Sequence, residues 1–112
     1  MKEETRRAVA FMAAARIRGS AGSSVYSYSH GRHTAMSGNG NQAYDYDSGA
    51  HISGSGNSLY HYENGANVNL SVSGNHFSGY DYESGCHFQG TVNGRSVQLY
   101  DYGEGQYFNY QV

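Results

Sequence analysis

The sequence predicts a mainly β protein: an up-and-down antiparallel meander of about ten short strands, curled or barrel-like, with one N-terminal α-helix. Three observations predict it. A tyrosine pair with one residue between its members returns five times, at Tyr26/Tyr28, Tyr44/Tyr46, Tyr60/Tyr62, Tyr80/Tyr82 and Tyr100/Tyr102, each with a glycine three residues on. Repetition at this spacing means one supersecondary unit, copied. From Val25 onward the apolar residues recur with a period of two, as in a strand. Residues 3–18 differ in kind: alanine is abundant, the acids come first and the arginines last.

That first segment reads as a helix, since alanine favours it and the charge order suits the helix dipole. Gly19 and Gly22, with Ser20 and Ser23, end it. Val9, Met12 and Ala13 lie together beside Phe11, Ala14 and Ile17, so a broad apolar face is expected with arginines at its margins. Val9 to Ala15, a short apolar stretch after Arg6 and Arg7, leaves a cleaved secretory signal as the alternative reading; its shortness, its alanine content and the charges on both flanks weigh against it. Residues 1–22 are therefore read as helix and linker, and 23–112 as a hairpin repeat domain, within one domain overall.

Two turn types alternate along the repeat domain. One follows each tyrosine pair: Ser29-His30-Gly31, Asp47-Ser48-Gly49, Glu63-Asn64-Gly65, Glu83-Ser84-Gly85 and Gly103-Glu104-Gly105. Glycine in third place fits a three-residue hairpin loop that ends in a left-handed residue. The other lies between repeats, at Gly38-Asn39-Gly40, Ser55-Gly56-Asn57, Ser73-Gly74-Asn75 and Asn93-Gly94-Arg95. Nine turns make ten strands. With three-residue loops, Tyr82 opposes Cys86 and Tyr80 opposes Phe88, and the rings and aliphatics gather on one face as a tyrosine core. The other face then carries Ser27, His33, Asp45, His51, His61, Asn67, Asp81, His87, Asp101 and Tyr107. Leu59, Phe77, Val97 and Leu99 fall on that polar side, as bulges or as an outer apolar patch.

Ten strands side by side span roughly 48 Å at ~4.8 Å each, and a helix ~10 Å wide cannot cover such a face. Three arrangements answer this: a barrel, with closure around the helix as one form of it; stacked sheets in an oligomer; or a partly wet tyrosine face. A twisted sheet of this size rarely stays open, which favours the curled form.

The stretch Tyr80-Asp81-Tyr82-Glu83-Ser84-Gly85-Cys86-His87-Phe88-Gln89-Gly90-Thr91-Val92-Asn93-Gly94-Arg95 resembles a MORN repeat, with its aromatic pair, turn glycine, later aromatic and Asn-Gly before a base. The copy at Tyr60 matches at Tyr62, Asn64, Gly65, Val68 and Gly74. The chain departs from that pattern in having no tryptophan, few basic residues and a variable repeat length. The resemblance implies an extended hairpin sheet that serves as scaffold or partner-binding surface, without catalysis by the repeats.

The chain's net charge of −2 conceals a split: residues 1–18 carry +3 and the remainder −5. An acidic repeat region argues against a nucleic-acid footprint, and the basic helix is free to dock on the acidic sheet. One cysteine, Cys86, allows no internal disulfide. No apolar run reaches the ~20 residues of a membrane span, so a cytoplasmic location is expected. The sharpest chemical candidates are the His/Asp row, His33, Asp45, His51 and His61, and His87 beside Asp81. Adjacent strands are close enough for such residues to share a divalent metal, but a flat row lacks the enclosed geometry a metal needs, and a solvated face of cross-strand pairs is the favoured reading. The pair His51 and His61 could also act as a pH switch. Cys86 is expected as an inert core residue near Tyr82. No catalytic residue and no cofactor is assigned. The expected function is a non-enzymatic structural or interaction protein whose hairpin surface binds a protein partner or itself. The alternative is a module binding a sugar or small aromatic compound in a tyrosine-lined cavity.

Overall fold

The computed structural model describes residues 1–112. Helix α1 (Glu3–Arg18) is followed by ten strands: β1 (Ser24–Ser27), β2 (Arg32–Gly38), β3 (Gln42–Asp45), β4 (His51–Ser55), β5 (Ser58–His61), β6 (Ala66–Ser73), β7 (His76–Asp81), β8 (Cys86–Asn93), β9 (Ser96–Asp101) and β10 (Gln106–Gln111). Every strand pairs antiparallel with its sequence neighbours, and β1 pairs with β10, so the meander closes into a barrel. The molecule measures 28 × 27 × 26 Å. No helix is long and apolar enough to cross a membrane.

The helix fills the barrel. Every residue from Thr5 to Ala15 is buried, so the segment has no solvent-facing side. A helix apolar around its circumference belongs in a core, and the run Ala8 to Ala15 supplies that with small residues interrupted by Val9, Phe11 and Met12. It ends at Gly19, whose φ of 79° is left-handed and whose N–H donates to the Ala15 carbonyl at 2.9 Å. The strands contribute Val25, Met36, Ile52, Leu59, Leu70, Phe88 and Leu99, among others, to the same cluster. The helix thus resolves the problem of an uncovered sheet face, by lying inside the sheet.

The tyrosine core is overturned. The loops after the tyrosine pairs hold four residues, not three: Asp81 opposes Cys86, leaving Tyr82 to Gly85 in the loop, and Ser27 opposes Arg32 in the same way. One extra loop residue reverses the facing of the strand before it. The tyrosines of β1, β3, β5, β7 and β9 therefore point out, and the residues between them point in. The even-numbered strands face as expected, with Thr34, Ile52, Val68, Phe88 and Phe108 inside. Leu59, Phe77, Val97 and Leu99 are buried core and not an outer patch.

The connections between repeats are tighter. Ser55 opposes Ser58, Ser73 opposes His76 and Asn93 opposes Ser96, which leaves two-residue loops. Each starts on a glycine with φ near +60° and continues on a residue of negative φ, the hairpin turn that matches strand twist. Closure is helped where β7 and β8 come close. Gly79 opposes Phe88 and Phe77 opposes Gly90. A side chain at Gly79 would overlap the Asn69 carbonyl and come within 2.5 Å of the Phe88 ring. Glycine here lets the strands bend, and the opposing rings cover the bare backbone.

Candidate functional site

Two polar regions could carry function: the inner rim beneath the four-residue loops, and the outer wall. The inner rim is made by the residue between each tyrosine pair. Asp45, His61, Asp81 and Asp101 occupy equivalent inward positions, and each caps its own loop. Asp45 Oδ1 accepts from the N–H groups of Asp47 and Ser48 at 2.9 and 3.1 Å. Asp101 Oδ1 accepts from Gly103 and Glu104 at 2.9 and 3.3 Å. Asp81 Oδ1 accepts from Glu83 at 3.2 Å. His61 does the same with a ring nitrogen, Nδ1, which accepts from the N–H of Asn64 at 3.2 Å. These are Asx-type turns, with a local acceptor held by the backbone it caps.

The second oxygens meet the helix. Arg7 Nε donates to Asp45 Oδ2 at 2.6 Å. Arg6 Nη1 lies 3.1 Å from Asp101 Oδ2, and the Met1 ammonium lies 3.2 Å from the same oxygen. Burial works to raise the Asp45 carboxyl, but Arg7 and the loop N–H groups outweigh it and hold it below its ordinary value. Asp101 is likewise lowered, against burial, by the ammonium and Arg6. Arg6 also lies over the Phe108 ring, 3.8 Å from its centroid. Two of the arginines expected at the margins of a helix face, Arg6 and Arg7, are thus buried, whereas Arg16 and Arg18 are only partly so. The docking of basic helix on acidic sheet takes place on the inside of the barrel.

His61 is fully buried, and its Nε2 has no hydrogen-bond partner. Burial, the largest cause, lowers its pKa; Glu4 and Asp81 pull the other way without reversing it. The accepting Nδ1 places the ring proton on Nε2. On the opposite side of the barrel, Tyr110, buried among Glu3 and Arg6, has its hydroxyl pushed up by burial and by Glu3, to which it donates at 3.0 Å.

The expected His/Asp row does not exist as one row. Asp45, His61 and Asp81 face in, whereas His33, His51 and His87 face out beside Tyr26, Tyr44 and Tyr80. No three His, Cys, Asp or Glu side chains come together as a metal-ligand group. His51 stacks on Tyr62 at 5.3 Å, with the barrel wall between it and His61, so the two cannot form the switch expected of them. Cys86 is half-buried at the inner rim and not on a tyrosine face; Ser84 Oγ lies 2.9 Å from its sulfur.

The outer wall is built from the other half of every strand. No outward-pointing strand residue is Asp, Glu, Lys or Arg, the one exposed strand charge being Arg32 at the rim end of β2, paired with Asp47: the outward positions hold Ser, Thr, Asn, Gln, His, Tyr and one Ala. Eight of the twelve tyrosines are exposed, by 39 to 63%. Within each pair the rings meet edge to face at 4.8 to 5.0 Å, a favoured aromatic geometry. The second tyrosine of each pair also ties neighbouring hairpins together. The N–H groups of Tyr46, Tyr62, Tyr82 and Tyr102 donate to Ala35, His51, Asn67 and His87, and that of Tyr28 donates to Asn109 across the closing seam. A wall this polar lacks the outward apolar band of a barrel that faces lipid.

Three clefts indent the wall, with volumes of ≈ 400, 540 and 520 Å³, and none is lined by a charged residue. The interior offers no counterpart, because the helix occupies the space in which a tyrosine-lined cavity was expected. The buried ion pairs and the outward tyrosines both escaped the sequence reading. The signal for them was present: four core-type residues on the supposed polar side, and two adjacent arginines facing a chain of regularly spaced aspartates. No family model, no curated protein and no solved structure matches this chain.

Proposed function

We propose that the protein is a small non-enzymatic interaction module that presents the outer wall of its barrel to a partner. One observation carries this reading: a wall without outward charges on its strands that exposes eight tyrosines. Charge depletion with aromatic enrichment is the composition of interface centres. Tyrosine, serine, asparagine and glycine together make adaptable recognition surfaces, in which rigid rings supply contact and short polar groups supply hydrogen bonds. A protein partner or a second copy fits that composition, as the likeness of residues 80–95 to a MORN repeat also suggests. The uncharged clefts favour a second occupant, a sugar. The buried polar groups support the absence of catalysis in this reading, since each aspartate at the inner rim is engaged by a loop, and two of them by the helix as well.

The test compares the wild type with a variant carrying Tyr46→Ser, Tyr62→Ser, Tyr82→Ser and Tyr102→Ser, after confirming an unchanged fold by circular dichroism. Both are immobilised and exposed to cell extract, and the retained protein and carbohydrate are identified. The expected outcome is material held by the wild type and released by the variant, or a wild-type self-association, seen by light scattering, that the variant lacks. Identical behaviour of the two chains sinks the reading.

A further inference from the structure

The three clefts are one groove. Ser71, Ser78 and Gln89 line both the first and the third, and Thr91 and Gln98 line both the first and the second. These residues are cross-strand neighbours: Ser71 opposes Ser78, Ser78 opposes Gln89, and Thr91 opposes Gln98. The groove therefore runs across the strands from β6 to β10 and on to Tyr28. Four strand spacings make it about 19 Å long before that last step. Tyr80 and Tyr102 stand in one part, Tyr107 in the middle and Tyr28 at the far end.

Resting on the reading of the outer wall as the binding surface, we infer that this groove binds a neutral polysaccharide chain. The polar lining is mostly hydroxyl and carboxamide, with His76 and His87 among it and Val72, Phe77, Phe88 and Val97 beneath; hydroxyls and carboxamides both donate and accept hydrogen bonds, as sugar hydroxyls do. The tyrosines stand at intervals along the run, where their rings can pack on the C–H faces of successive sugar rings. The absence of Lys and Arg removes the anchors that nucleic acids and anionic lipid surfaces require. The absence of Asp and Glu removes those of a basic partner. An extended peptide would need a free strand edge to pair with, and the closed barrel has none.

The test uses the full chain on an array of neutral and charged glycans, followed by titration of the best oligosaccharide. Binding confined to neutral chains is expected. Gln89→Ala combined with Gln98→Ala should weaken it at least tenfold, and Tyr107→Ser should weaken it several-fold on its own. Glu63→Gln, in an exposed loop away from the groove, should stay within twofold. Both groove variants alter exposed positions, and their melting curves verify that they fold. Binding to no neutral glycan, binding only to charged ones, or equal affinity of wild type and both groove variants overturns the inference. If the wild type then still holds a protein from extract in a tyrosine-dependent manner, the groove's occupant is protein and only the glycan assignment falls. If it holds nothing and light scattering finds no tyrosine-dependent self-association, both readings fall.

Discussion

Between the tyrosines of four of the five repeats sits an inward side chain that caps its own loop, and in two of them it also meets the helix. Asp45 and Asp101 do both, and each is held ionised by an arginine on α1. Removing one partner of such a pair leaves a buried charge alone, which costs about 3–5 kcal/mol. Arg7→Met should therefore lower stability by that amount in chemical denaturation. His61 breaks the pattern, because it caps with a neutral ring. Its pKa is lowered on folding, so the stability linked to it is complete above the ordinary value of about 6.5 and is lost as pH falls below that value toward the folded one. Asp45 and Asp101 have lowered pKa values too, but their contribution is lost only as pH falls below about 3.9. The wild type should lose melting temperature between pH 7 and 5.5, and His61→Asn, which keeps a neutral cap, should not. Equal slopes for the two chains would dismiss His61 as the cause. These roles were half legible in the sequence. The repeat marked the position, but the loop length decided which way it faced.

Among the elements, the loops set the architecture. A four-residue loop and a three-residue loop both accept glycine in last place, so the glycine pattern alone does not choose between them. The choice is made by packing, through Leu59, Phe77, Val97 and Leu99, whose burial requires the odd strands to turn their tyrosines outward. Composition pulled the other way, because tyrosine is a large ring and aspartate a charge. The glycines themselves fall into two kinds with different costs. Gly105 has φ 69° and open space around it, so Gly105→Ala should cost only the left-handed penalty of about 1–2 kcal/mol. Gly79 lies in a strand with no such φ, yet a side chain there would strike the Asn69 carbonyl and the Phe88 ring. Gly79→Ala should prevent closure and yield insoluble or unfolded chain, as judged by far-ultraviolet circular dichroism.

On the scale of the whole molecule, helix and barrel are each incomplete alone. The ten-strand meander and its helix were readable from the repeat count and the change of period. The place of the helix was not, since nothing local distinguishes a lid from a plug except apolar residues all the way round. Phe11 is completely buried at the centre of the helix, and Phe11→Ala should cost about 3–5 kcal/mol. Deleting residues 1–19 should leave a chain that light scattering finds aggregated. A soluble, monomeric, folded remnant would show that the barrel stands without its filling. The junction of Tyr28 with Asn109, which seals β1 to β10, repeats the bond made at each of the four other boundaries between repeats. Nothing in the hairpins themselves therefore says when to stop adding them. A barrel widens with each strand, and only one width fits around a single helix. The helix thus acts as the gauge for the ring: it sets the number of copies at five, and a lineage that gained or lost a hairpin would first need a different core.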